Sequence, residues 1–169
     1  MNHITLALIA LFTFSSCSET EQGLQIQLPP GYIEDAEKPQ YTLFSAARTE
    51  DGVITSSIEV RYSDDWSFSH LSNEMYIELG KKEQIEKIAS MLYEDIEVQA
   101  QESMYFKNHG DCLYRIFTGR RKDNGVLVTN LSIQFIKDAK LYTFIGNCLT
   151  TDFHNNHKEF LNAFESLSL

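Results

Sequence analysis

The sequence has few of the signatures that mark a catalyst. It contains no His-Glu-x-x-His pattern, no Cys/His cluster, no Gly-x-Ser-x-Gly elbow and no glycine-rich phosphate loop. Metalloprotease, serine-hydrolase and phosphoryl-transfer chemistry are therefore left without a motif. Positive charge is also scarce, with 14 Lys and Arg against 24 Asp and Glu and a net charge of −10. Such a chain repels phosphate backbones, which excludes broad nucleic-acid binding. It also makes an anionic membrane surface a poor docking face. No apolar run is long enough to cross a bilayer as a helix, which takes about 20 residues. There is no internal repeat and no low-complexity segment.

What is present begins with the run ITLALIALFTF, residues 4–14, followed by Ser15, Ser16 and Cys17. This run has the length of the apolar region of a secretory signal peptide. The small serines before Cys17 resemble the lipobox of bacterial lipoproteins, with Phe14 where leucine is usual. The resemblance implies a signal peptide over residues 1–16, lipidation of Cys17 and a polar, acidic tether over 17–23. It also implies a cell-envelope location: an outer-membrane lipoprotein facing the periplasm or the cell surface. Two or three acyl chains would make release from the membrane very slow. A plain secretory signal or an uncleaved N-terminal strand is the alternative.

With that segment removed, roughly 153 residues remain, the size of one domain. The two remaining cysteines, Cys112 and Cys148, fall in strand-like segments. In an oxidising compartment they are candidates for a disulfide, which a loop-entropy estimate values at about 3–4 kcal/mol. Otherwise they are two separate buried thiols.

Periodicity predicts an α+β domain over 24–169, with an antiparallel sheet of about six strands. LQIQL (24–28) alternates and stops at Pro29-Pro30-Gly31. YTLFSAART (41–49) and VITSSIEVRY (53–62) read as a hairpin. Residues 98–107, 112–120, 125–136 and 141–149 read as a meander joined by short turns. In the third of these, Leu127, Thr129, Leu131, Ile133 and Phe135 share one face. Asn130, Ser132 and Gln134 share the other, which predicts partial solvation there. A mid-chain helix is expected over 79–94 from Ile85, Ile88, Ala89 and Leu92. A C-terminal helix capped by Thr151 or Asp152 is expected from Phe153, His157, Phe160, Phe164 and Leu167. Both are expected to pack on the sheet.

The order of these parts resembles the PsbP-like fold, shared by the photosystem II extrinsic protein PsbP, a yeast Ran-binding import factor and lipoproteins of the DcrB type. The resemblance rests on Ile26-Gln27-Leu28-Pro29-Pro30-Gly31-Tyr32, on Leu141-Tyr142-Thr143-Phe144-Ile145-Gly146 and on Phe164-Glu165-Ser166-Leu167. It implies binding and assembly work rather than catalysis.

Four features are candidates for that work. Asp64, Asp65, Trp66 and Phe68 form a possible binding loop, with carboxylates for a cation or sugar and Trp66 for stacking. Arg115, Arg120, Arg121 and Lys122 make a local basic spot. His154 and His157 have a spacing that can serve a metal, but only His157 falls on the apolar stripe, so no metal site is expected. Asn130, Ser132 and Gln134 could line a pocket between sheet and helix. Together these predict a non-enzymatic envelope lipoprotein acting as an adaptor for an envelope protein complex, with no cofactor. A small-ligand carrier or an unrecognised hydrolase is the alternative.

Overall fold

The computed structural model describes residues 23–169. The predicted signal peptide, Cys17 and residues 18–22 of the tether lie outside the described residues. The domain is built on seven antiparallel strands: β1 (Tyr32–Glu34), β2 (Thr42–Glu50), β3 (Val53–Ser63), β4 (Tyr93–Phe106), β5 (Gly110–Arg121), β6 (Leu127–Lys137) and β7 (Lys140–Leu149). Their order across the sheet is β1-β2-β3-β7-β6-β5-β4. The β2–β3 hairpin and the meander from β4 to β7 lie where alternation and turn residues place them. Gly52 and Gly125 adopt positive φ, the backbone state such turns require.

One sheet face carries the C-terminal helix α3 (Phe153–Ser166). Phe160 and Phe164 are fully buried on it against Phe44, Ile58, Leu131, Ile133 and Phe144. This is the main core, and it exists because the phenylalanine stripe of α3 meets the apolar halves of β2, β3, β7 and β6. Asp152 stands at the start of the helix, but its side chain makes no capping bond. Instead its carbonyl accepts from Asn156 Nδ2 at 3.0 Å.

The mid-chain helix is two short helices on the opposite face. These are α1 (Asn73–Gly80) and α2 (Ile85–Ala89). The apolar spacing that suggested one helix over 79–94 is misleading at its ends. Ile88 and Leu92 face solvent, while Ile85 and Ala89 are buried against Phe117. Tyr93 already begins β4, because pairing with β5 from Tyr93↔Arg121 onward outweighs local helix preference. The expected first strand, 24–28, makes a single bridge, Gln25↔Ser168, and buries Leu24 and Ile26. β1, three residues long, is the strand the periodicity does not show.

Cys112 and Cys148 are free and buried, the alternative of two separate thiols and not the candidate disulfide. β6 separates their strands. Cys148 is in register with Thr129, and Thr129 with Thr118. Cys112 lies six residues from Thr118 along β5, about 20 Å at 3.3–3.4 Å per residue. A disulfide needs Cα atoms within about 7 Å. Burial pushes both thiols up to about 12.

Candidate binding groove

Strand register sets the face opposite α3 in rows that run across the sheet. One row is Ser57, Asn147, Asn130, Phe117, Val98; the next is Glu59, Ile145, Ser132, Arg115, Gln101; the third is Arg61, Thr143, Gln134, Leu113, Ser103. α2 covers the β5–β4 half of these rows, and α1 reaches across β5 to Gln134 on β6 in the third. α2 sits over Phe117 with Tyr93, Ile96 and Val98. Gly80, with no side chain, lets the end of α1 press onto Leu113. Along the first two rows the β3–β7–β6 half stays open as a groove of about 530 Å³.

The link between the two halves is a polar clamp. Arg115, 5% exposed, donates from Nη1 to Gln134 Oε1 at 3.0 Å and from Nη2 to the Gly80 carbonyl at 3.0 Å and Glu83 Oε2 at 2.6 Å. Gln101 Nε2 donates to the Gly80 and Glu83 carbonyls at 2.6 and 2.8 Å. Tyr76 Oη donates to Gln134 Oε1 at 3.0 Å. A buried guanidinium with several acceptors holds the α1–α2 turn on the sheet. Arg115 is therefore structural and separate from the basic spot, and Gln134 belongs to the clamp rather than to an open pocket.

The groove floor is polar. Asn130 Nδ2 donates to Asn147 Oδ1 at 2.6 Å. Among the described residues, the hydroxyls of Ser57 and Tyr93 make no hydrogen bond, and the side-chain Oδ1 of Asn130 and Nδ2 of Asn147 make none beyond that pair. The charged groups are matched. Arg61 Nε donates to Glu59 at 2.8 Å, and Arg121 Nε to Asp123 at 3.0 Å. Lys122 Nζ donates to the Ser90 carbonyl at 2.5 Å. Burial raises the Tyr93 phenol pKa, and the charges of Arg121, Asp123, Glu59 and Arg61 also act on it, so both ion pairs border this hydroxyl.

Apolar side chains ring the same end of the sheet. Met91 is 81% and Leu92 69% exposed, and both line the groove. Val53 and Ile54, each 63% exposed, line a smaller hollow with Val126 that shares Ser57, Arg121, Val128 and Asn147 with the groove. The two hollows therefore form one trough with an apolar patch at each end. The sequence marked Asn130 as solvated and Arg121 and Lys122 as exposed. It gave no sign that Tyr93, Ser57, Glu59 or Asn147 would join them, because only the register brings them together.

The Asp64–Phe68 loop lies elsewhere. It follows Ser63, which pairs with Leu141 at the far end of β7. Trp66 is 75% exposed and, among the described residues, its ring stands edge-on to His70. Asp65 accepts from the Ser67 amide at 2.9 Å, which lowers its pKa, and Phe68 packs edge-on against Tyr76. Asp64 is exposed. His157 Nε2 and Tyr114 Oη are 2.7 Å apart, while His154 is exposed. Among the described residues no group of three or more His, Cys, Asp or Glu side chains could hold a metal ion.

The fold so defined is PsbP-like. It is shared with cyanobacterial PsbP from Synechocystis, at a TM-score of 0.56 and 15% identity over 97% of this chain and 98% of that one. The Ran-binding protein Mog1p of Saccharomyces cerevisiae matches at 0.55 and 13% identity, over 90% of this chain and 94% of that one. LpqN, involved in cell envelope biogenesis of Mycobacterium tuberculosis, matches at 0.56 and 8% identity, over 86% and 82%. No protein-family model matches the sequence, and comparison with curated proteins finds no match.

Proposed function

We propose that the protein is a non-enzymatic lipoprotein of the cell envelope, anchored in the outer membrane through Cys17, that acts as a binding or assembly module for an envelope protein complex. The observation that carries this reading is the trough and its exposed apolar ends. Exposed methionine, leucine and isoleucine beside a solvated polar floor suit a protein partner. Arg61 and Arg121 are paired with Glu59 and Asp123, Lys122 is held by the Ser90 carbonyl, and the remaining polar groups are amides and hydroxyls, a set suited to holding a partner.

Orientation supports the same reading. Leu24 and Gln25 lie beside Ser168, at the end of the sheet where β6 finishes and β7 begins. The trough lies at the opposite end, so a domain tethered through residue 17 would present it away from the membrane. Neighbours in fold include a Ran-binding protein, which agrees with binding work, and one involved in cell envelope biogenesis, which agrees with an envelope location.

Site-specific photo-crosslinking in native membranes tests the reading. A crosslinker at Leu92 should capture one envelope protein, and one at Lys158, exposed on α3, should not. A second reading, a small-ligand carrier, draws on the groove's 530 Å³, which falls within the ligand-pocket range. Absence of any protein adduct from either position, together with a small molecule co-purifying with the native protein, would favour the carrier.

A further inference from the structure

The trough runs from Leu92 and Tyr93, at the start of β4, across to Val53 and Ile54 on β3. Four inter-strand spacings separate these strands, about 19 Å. That is the span of about five or six residues of extended chain. Each end offers flexible aliphatic side chains, Met91 and Leu92 at one and Val53, Ile54 and Val126 at the other. Asn130 and Asn147 in the middle, with Tyr93 and Ser57 toward the two ends, offer uncommitted donors and acceptors of the amide and hydroxyl kind.

The electrostatics narrow the occupant. Arg61 is held by Glu59, Arg121 by Asp123, and Lys122 by the Ser90 carbonyl. A charged ligand group would compete with the ion pairs of Arg61 with Glu59 and of Arg121 with Asp123; only Lys122, bound to a neutral carbonyl, has no opposite charge beside it. A neutral backbone would not compete, because its N–H and C=O groups match the free side-chain amides. Tyr93 is turned edge-on against Phe117 at 5.2 Å. Its Cβ, Cγ and Cδ1 also lie over Gly119, and its hydroxyl lies among the ion pairs of the trough.

Resting on the adaptor reading above, we propose that the trough takes an extended, uncharged peptide segment of the partner. Aliphatic side chains of the segment seat at the Met91–Leu92 and Val53–Ile54 ends, and its backbone amides are read by Asn130, Asn147, Ser57 and Tyr93. Apolar side chains fix the register, and the amide pair fixes the segment's depth. Met91, with three rotatable bonds and a polarisable sulfur, can adapt to more than one side chain.

The test is amide NMR of the full lipidated protein in nanodiscs, titrated with three probes. These are a blocked heptapeptide of alternating serine and leucine, the same peptide with glutamate for serine, and maltotriose. The serine–leucine peptide should produce saturable shifts at Ser57, Tyr93, Asn130 and Asn147, with affinity in about the micromolar-to-millimolar range. Asn147→Ala should weaken it about tenfold, the size of one or two lost hydrogen bonds. Tyr93→Phe, which removes only the hydroxyl, should weaken it severalfold. Shifts from maltotriose alone, equal binding of the glutamate peptide, or no shift from any probe would each overturn the inference. The adaptor reading fails separately, through loss of the Leu92 crosslink.

Discussion

The ring of Phe160 lies directly against the bare backbone of Gly146, where a β-carbon would stand only 2.6 Å from Cγ. Phe160 is fully buried, so neither partner can retreat. This contact sets how closely α3 approaches the middle of β7. Gly146→Ala is expected to cost about 2–3 kcal/mol, the range for overpacking a full core. Urea denaturation would check it, and a cost below about 0.5 kcal/mol would mean that the helix can ride outward.

The clamp beneath α1 and α2 predicts unequal partners. Arg115→Ala removes a buried guanidinium with its three hydrogen bonds, leaving Gln101 alone on the Gly80 carbonyl and Tyr76 alone on Gln134, and should cost about 3 kcal/mol. Glu83 is 45% exposed, so Glu83→Gln should cost no more than about 1 kcal/mol. Equal losses in chemical denaturation would show that the ion pair, rather than the buried donor network, holds the turn.

Two separated thiols make stability independent of redox state. Adding reductant to the folded protein should leave Tm unchanged. A thiol reagent should label Cys112 and Cys148 only after unfolding, since both are buried and burial raises their pKa. A fall of several degrees on reduction would contradict the placement of these strands.

Histidines give the fold a pH dependence. His109 stacks between Phe135 and Phe164, at 5.4 and 4.3 Å, near Glu165 and Lys137. His157 sits against Tyr114 and Phe153, near His154. Burial, foremost, holds both below the ordinary histidine value. As pH falls, the unfolded chain therefore takes up these protons first. The stability they protect is complete above about pH 6.5, the unfolded value. It is lost as pH drops below that and through the folded values. Urea midpoints measured between pH 7.5 and 5 should decline, and His109→Gln with His157→Gln should flatten the slope. A slope unchanged by the double variant would assign the effect to other groups.

The meander was readable because its turns carry their own chemistry. Asp123-Asn124-Gly125 needs a positive φ that Gly125 supplies, and the alternation of β6 separates Leu131 and Ile133 from Asn130 and Ser132. The C-terminal helix was readable from Phe160 and Phe164. The mid-chain helix misled because Ile88 and Leu92 continue an apolar spacing that is not buried. Their side chains serve the surface rather than the core, so local periodicity carries the wrong meaning there. The state of the cysteines was left open for a related reason: two strand-borne cysteines look pairable until strand order puts β6 between them. The trough was least readable. Its residues come from β3, β7, β6 and the residues at and before the start of β4, and they meet only through registers that no single segment encodes.

The two ends of the described chain are clasped together. Gln25 and Ser168 exchange both backbone hydrogen bonds, at 3.0 and 2.8 Å, and the Gln27 amide donates to Ser166 Oγ at 2.8 Å. Any tension arriving along the N-terminal segment is therefore shared at once with the tail of α3, and the sheet is spared until that seam opens. Shortening the chain by its final few residues would unbuckle the seam and let Leu24 and Ile26 peel from beneath it. The last amino acids thus act as the catch on the first ones.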